Sequence, residues 1–281
     1  MFHLGKMTGL EDGSMALRFD KVEMAIFEKY IMNVEVIEEA YTSNILKRAE
    51  ILFSEMTTKE KHNLQERILM GLPGIVNDLT IPVFKIMIAQ YDNLSHSDLK
   101  RNLSYFLKEV IPVCEENDMT MGIHPGDPPI DIMGLPRIIK SEQDLEDLVN
   151  FVDSPANGIT FCTGALGANP DNNLPKMIRM FGDRIHFIHL RNVRLENKGS
   201  FFEDNHLEGS TDMYEVVKAI IEVETRRGLH LPMRSDHGHQ MLDDLKDINV
   251  YSGYSAIGRL RGLAELRVLA LGIIKVNYRN F

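Results

Sequence analysis

Met121-Gly-Ile-His124, Gly158-Ile-Thr-Phe-Cys162, His186-Phe-Ile-His189 and Pro232-Met-Arg-Ser-Asp236 are the segments on which the reading of this chain turns. Each is short and mostly apolar, as a buried strand is, and each ends in a side chain able to hold a metal. The first three lead into loops rich in Pro, Gly, Asn or Arg. Parallel strands that present ligands at their C-terminal ends build one site at one face of a barrel or sheet. The pattern is that of a metalloenzyme.

Spacing supports it. His124 to Cys162 is about 38 residues, Cys162 to His189 about 27 and His189 to Asp236 about 47. Each interval has room for a strand, a crossover helix and a return. Paired zinc-finger ligands lie only about two to five residues apart, so the site here is tertiary.

Working outward, residues 20 to about 118 alternate charged and apolar residues at helical spacing, with interruptions near Gly71-Leu-Pro-Gly74 and Asp92-Asn-Leu-Ser95 and no strong strand. From 119 to 275 the rhythm becomes successive βα units. Strands are expected at 120–124, 158–162, 185–190 and 231–235, and helices at 141–152, 173–182, 211–227 and 254–272. Ser141-Glu-Gln-Asp144 starts a helix in the manner of a capping box, Asp212 starts another, and Gly228 is placed to end it. Repeated βα units with ligands at strand ends favour an α/β barrel over a doubly wound sheet. No linker divides the chain, so residues 1–281 read as a single domain.

The 281 residues are 44% hydrophobic and 26% charged, an ordinary globular composition. A formal charge of -10 and no Lys/Arg cluster argue against a nucleic-acid partner. The start lacks the pattern of a secretory signal and no apolar run is long enough to span a membrane, which points to the cytoplasm and to no membrane partner. Of the two cysteines, Cys114 lies in the helical-looking LKEVIPVCEEN and reads as core, leaving Cys162 as a thiolate ligand in a reducing compartment.

Two imidazoles, a thiolate and a carboxylate suit a divalent transition metal. Four protein ligands leave room for a substrate if the metal takes five or six, which favours Mn²⁺ or Fe²⁺, while the thiolate keeps Zn²⁺ open. Singly, each ligand has a plainer reading: a hydrogen-bonded histidine, a packed cysteine, an N-cap aspartate. The joint pattern outweighs them. Around the ligands, Gly- and Pro-rich loops bring Asp127, Arg137, Arg191, Asn192 and His237 as polar contacts for a small polyhydroxy acid. TGALGAN fits neither GxGxxG nor a Walker A loop. His186 and His239 read as structural.

Six motifs stand in order: IHPGDPP from Ile123, GITFCTGALGA from Gly158, HFIHLRNV from His186, HLEGSTDMYEV from His206, LPMRSDHGHQM from Leu231 and GYSAIGRLRGLAEL from Gly253. Through them, from about Asp12 to near Gly272, the chain resembles the mannonate dehydratase family, lyases of hexuronate catabolism with a xylose-isomerase-like TIM (β/α) barrel. The resemblance implies conversion of D-mannonate to 2-keto-3-deoxy-D-gluconate and water with a divalent metal, commonly Mn²⁺. It implies His124, Cys162, His189 and Asp236 as the ligands, the same set the strand ends give. It implies His237 and Tyr254 as proton-transfer groups, and Arg191 and His206 as substrate contacts.

Family members are longer at the N-terminus, so the resemblance also implies an incomplete barrel lacking about three strands. An open parallel sheet exposes an edge, which favours association into a homo-oligomer. Gly126 stands where the family motif usually has Asp, and Ser235 where it usually has Pro. The chemistry fits the residues. A proton α to a carboxylate is hard to remove because charge builds on an anionic group, so a cation must stabilise it, and loss of the neighbouring hydroxyl needs a general acid. Two alternatives remain: a metal-dependent sugar isomerase, which would usually carry more carboxylates, and a truncated barrel that is non-catalytic or depends on a partner.

Overall fold

Strands β3 (Met121–Ile123), β4 (Asn157–Cys162), β5 (Ile185–His189) and β8 (Met233–Arg234) form a parallel sheet in the order β3-β4-β5-β8. The structure is a computed structural model, and it describes residues 6–34, 40–69, 79–196, 199–246 and 253–277. Among these residues the parallel sheet is open, with β3 and β8 at its edges. The register pairs Gly122 with Gly158, Cys162 with His189, and His189 with Arg234. That alignment sets the ligand-bearing strand ends side by side, since neighbouring strands lie about 4.8 Å apart.

The helices between these strands follow local signals. α6 (Glu142–Phe151) begins at Ser141, whose side chain accepts from the Asp144 amide, and α9 (Met213–Arg227) begins at Asp212, which accepts from Glu215. Gly228 ends α9 in the left-handed region at φ 64, where a residue without Cβ is unstrained. With α8 (Leu174–Phe181) and α10 (Ala256–Asn277) they bury an apolar face against the sheet. Leu145, Leu148, Ile159, Phe161, Met177, Ile178, Ile185, Ile188, Val216, Ile220, Leu266 and Ile273 form one core. Cys114 belongs to it, near the end of α5 (His96–Glu116).

Before α5 the described chain is helical from residue 21. α1 (Lys21–Ile26) runs into a π turn (Phe27–Ile31), followed by α2 (Ser43–Glu55), α3 (Thr58–Leu69) and α4 (Ile81–Ala89). The Asp92-Asn-Leu-Ser95 interruption separates α4 from α5, and Ser95 caps α5 with Asp98 in a capping box. The interruption at Gly71-Leu-Pro-Gly74 lies outside the described residues. These helices form a second core of Met24, Ile26, Phe27, Ile45, Ala49, Leu64, Ile68 and Phe84.

The second core leans on a sheet that the sequence reading did not anticipate. β1 (Lys6–Gly9), β2 (Met15–Phe19), β6 (Val193–Leu195) and β7 (Phe201–Glu203) form an antiparallel sheet in the order β1-β2-β7-β6. The β6–β7 hairpin grows from the loop after His189 and joins β2 through Arg18 opposite Phe202 and Phe19 opposite Phe201, whose rings stack. Phe201 and Glu203 share the buried face of β7, as the two-residue period of a strand requires. The hairpin thereby carries Glu203 under the ends of the parallel strands. No described helix is long and apolar enough to cross a membrane.

Candidate metal centre

Three of the four expected ligands meet directly: one donor atom each from His124, Cys162 and His189 lies within 4.8 Å of the others. His124 donates its Nδ1–H to the Pro125 carbonyl at 2.7 Å, which leaves Nε2 with its lone pair aimed inward. That Nε2 is 3.2 Å from His189 Nδ1. Two nitrogens each about 2.1 Å from one cation would stand on the order of 3.0–3.4 Å apart, so the pair has the spacing of shared ligands. Asp236 stands beside two of the three, with Oδ2 3.6 Å from His189 Nδ1 and 4.0 Å from Cys162 Sγ. Its backbone turns at φ 59, unusual for a residue with a Cβ, and its Oδ1 accepts from Arg234 at 2.6 Å.

The electrostatics leave the imidazole donors of this cluster uncharged. Burial lowers the His189 imidazole to about 4 and draws His124 down too, so both rings are neutral with free lone pairs at neutral pH. Burial pushes the Cys162 thiol up to about 12. Burial also opposes ionisation of Asp236, but His237, Arg191, His189 and Arg234 outweigh it and hold the carboxyl at about 2. A divalent cation would take the thiol's proton place and match this donor set.

Beside the cluster, Arg191 is almost wholly buried at 1% exposure. Its Nε is 2.9 Å from both Glu203 oxygens, its Nη1 donates to Asp127 Oδ2 at 2.5 Å, and Nη1 also lies 3.8 Å from Cys162 Sγ. A Cβ at Gly164 would fall 2.3 Å from Arg191 Cγ, so only glycine lets the arginine stem pass. Its guanidinium fork is thus occupied by protein carboxylates. His206 stands behind the Asp236 loop, where Nε2–H donates to the Ser235 carbonyl at 2.9 Å and the ring fills the space a side chain at Gly262 would need. Its ring thereby braces the residue that precedes Asp236.

His237 and Tyr254 do come together. His237 Nε2 is 3.4 Å from the Tyr254 hydroxyl, the rings meet edge to face, and His237 Nδ1 is 3.1 Å from Glu203 Oε1. Burial raises the Tyr254 phenol above its ordinary range, with the Asp236 charge adding to it. For Glu203 burial favours the neutral acid, yet Arg191 and His237 together hold it ionised, at about 2. Glu203 escaped the sequence reading because a single acid in Phe201-Phe-Glu203-Asp carries no motif. The available signal was the strand alternation that puts it on the Phe201 face. His239 is structural, its Nε2 donating to the Glu203 carbonyl at 3.0 Å, and His186 is partly buried with Nε2 unpaired among the described residues.

Comparison with known proteins follows the same lines. A sequence profile for the family described as D-mannonate dehydratase (UxuA) matches residues 5–280. A mannonate dehydratase of Marinomonas sp. (strain MWYL1) is 42% identical over 270 residues, covering 94% of this chain and 69% of the relative. One from Rhizobium meliloti (strain 1021) is 42% identical over 275 residues, covering 95% of this chain and 68% of the relative. The crystal structure of mannonate dehydratase from Streptococcus suis serotype2 superposes with a TM-score of 0.63 at 31% identity, over 74% of this chain and 60% of that one. The chain belongs to the D-mannonate dehydratase family.

Proposed function

We propose that the chain catalyses the metal-dependent dehydration of D-mannonate to 2-keto-3-deoxy-D-gluconate and water. The observation that carries the reading is the meeting of His124, Cys162 and His189, with Asp236 beside them and the His237–Tyr254 pair adjoining. His124, Cys162, His189 and Asp236 would hold the cation, with Mn²⁺ or Fe²⁺ the best match and Zn²⁺ the alternative. When bound, the cation supplies Lewis acidity that stabilises charge developing on the substrate carboxylate.

The protein's own groups handle the protons. His237 Nε2 takes the proton from C2, and the bond pair left behind forms the C2–C3 double bond as the hydroxyl leaves C3. Tyr254 gives its O–H proton to that hydroxyl, which departs as water. The raised pKa of the phenol keeps the proton in place at neutral pH until the leaving group demands it. At 3.4 Å, His237 can then return its proton to the Tyr254 oxygen, so the pair resets while the enol becomes the 2-keto product. Arg191 serves this site by holding Asp127 and Glu203 in place, and we assign it no direct substrate contact.

Two free, buried cysteines suit a reducing, cytoplasmic setting. We read the parallel strands as part of a TIM barrel. Its edges, open among the described residues, and the exposed Leu260, Leu263, Val268 and Leu271 of α10 favour a second reading in which turnover requires association with another chain. The test is product formation from D-mannonate by this chain with added Mn²⁺ or Fe²⁺, followed by chelation. A 2-keto-3-deoxy acid that forms only with metal supports the function. A folded, metal-loaded protein that makes none overturns it, and activity that appears only at concentrations where oligomers form supports the second reading.

A further inference from the structure

We infer that Glu203 is the positioning residue that fixes the tautomer and orientation of His237, an assignment that rests on the proton-transfer role proposed above for His237 and Tyr254. A neutral imidazole has one N–H and one lone pair, and the group facing each nitrogen decides which is which. His237 Nδ1 faces Glu203 Oε1 at 3.1 Å, and an ionised carboxylate can only accept, so the proton sits on Nδ1. Nε2 is left with its lone pair toward the Tyr254 hydroxyl, the arrangement a proton acceptor on that side requires.

Glu203 is itself held from two directions. Both of its oxygens lie 2.9 Å from Arg191 Nε, and Arg191 Nη2 reaches Oε1 at 2.8 Å, so the carboxylate cannot swing away from the ring. Glu203 is only 5% exposed and His237 3%, so the contact lies away from bulk solvent. The glutamate arrives from β7 of the antiparallel sheet, while His237 follows the end of a parallel strand, so the site depends on the docking of the two sheets.

Arg191 provides an internal control because, besides Asp236 at 3.9 Å, it pairs closely with two further carboxylates. Asp127 and Glu203 both neutralise it, and Glu203 Oε1 in addition lies 3.1 Å from His237 Nδ1. A purely structural role for Glu203 predicts that Glu203→Gln and Asp127→Asn have similar effects. A positioning role predicts that they part, because an amide beside Nδ1 can present its NH2 and invert the imidazole. In catalytic triads that inversion lowers kcat by up to about 10⁴-fold with the geometry intact.

The experiment has two arms. In the first, nitrogen-15 NMR of histidine-labelled, metal-free protein reads the His237 tautomer. Nδ1–H in the wild type and a shift toward Nε2–H in Glu203→Gln are expected, and Nε2–H in the wild type overturns the inference whether or not the variant folds. In the second, turnover of D-mannonate at saturating metal is compared across variants. Glu203→Gln should lose about 10²- to 10⁴-fold in kcat with KM within a few-fold, and Asp127→Asn about tenfold or less. Equal losses overturn the inference. If the wild type has no activity on D-mannonate, the reaction assigned above falls, and the tautomer measurement still decides the role of Glu203.

Discussion

Glu28 and Glu203 are both buried glutamates, at 1% and 5% exposure, yet their surroundings send them in opposite directions. Glu28 sits in the π turn of the helical core, where it accepts from the Met133 amide at 2.8 Å and from the Tyr41 hydroxyl, with no cation bonded to it among the described residues. Burial dominates there and raises its carboxyl to about 7. Under the candidate metal centre, Arg191 and His237 overcome the same burial and hold Glu203 at about 2. The difference teaches that neutral donors make a buried acid tolerable, whereas a buried guanidinium makes it a fixed charge. The helical core stores a proton, and the site region stores a charge pair.

Removing the cation should break this contrast most sharply. Arg191→Met leaves Asp127 and Glu203 buried without their guanidinium, with the His237 ring still beside Glu203, and half-pairs of this kind cost about 3–5 kcal/mol. Urea unfolding at pH 7 should register a loss of that size. The contrast would fail if the variant unfolded at the wild-type midpoint. Tyr254→Phe addresses the same neighbourhood differently, because it keeps the ring against His237 and removes only the hydroxyl. Its kcat should fall about 10²- to 10⁴-fold with the thermal midpoint nearly unchanged.

The ligand cluster has the opposite imbalance from the Arg191 cluster. Its imidazoles are neutral, its thiol is protonated, and its one carboxylate, although paired with Arg234, still offers Oδ2 toward the other donors. Metal at a hundredfold excess over its Kd should therefore stabilise the fold by about 2.7 kcal/mol. Cys162→Ala should abolish that increment, and a chelator should reverse it in the wild type. Because the thiol gives up its proton on binding, the increment should grow as pH rises from 6 to about 8. A Cys162→Ala protein that gains as much as the wild type would remove Cys162 from the ligand set.

Legibility in the sequence followed the same division. β4 and β5 stand at Asn157–Cys162 and Ile185–His189, close to the expected 158–162 and 185–190, because apolar runs bounded by polar turns announce themselves locally. β8 shrank to Met233–Arg234, since the backbone leaves the sheet early to make the turn at Asp236. The antiparallel sheet was hidden because its pairing is remote: Arg18 meets Phe202, and neither Lys6–Gly9 nor Phe201–Glu203 is long enough to show a period. Glu203 was hidden for a related reason, as was the pairing of Asp127, which the sequence shows only as a polar contact near the ligands. Their meaning lies in sharing Arg191, and no residue-type pattern encodes a partner supplied by another sheet.

Glu28→Gln sharpens the comparison from the other side, with the smallest expected effect. The wild-type acid binds its proton more tightly when folded, at about 7, than its ordinary value of 4.5, so the stability it contributes is complete below about 4.5 and is lost as pH rises through 7. A glutamine keeps the acceptor for the Met133 amide and for Tyr41 but has no proton to lose. The difference in unfolding free energy between the variant and the wild type should thus be near zero at pH 4. By pH 8 it should favour the variant by about 1–3 kcal/mol. Taking the difference cancels the buried histidines, which titrate across the same range in both proteins. A flat difference from pH 4 to 8 would mean that Glu28 stays ionised through a cation it does not touch, and the two glutamates would then be alike after all.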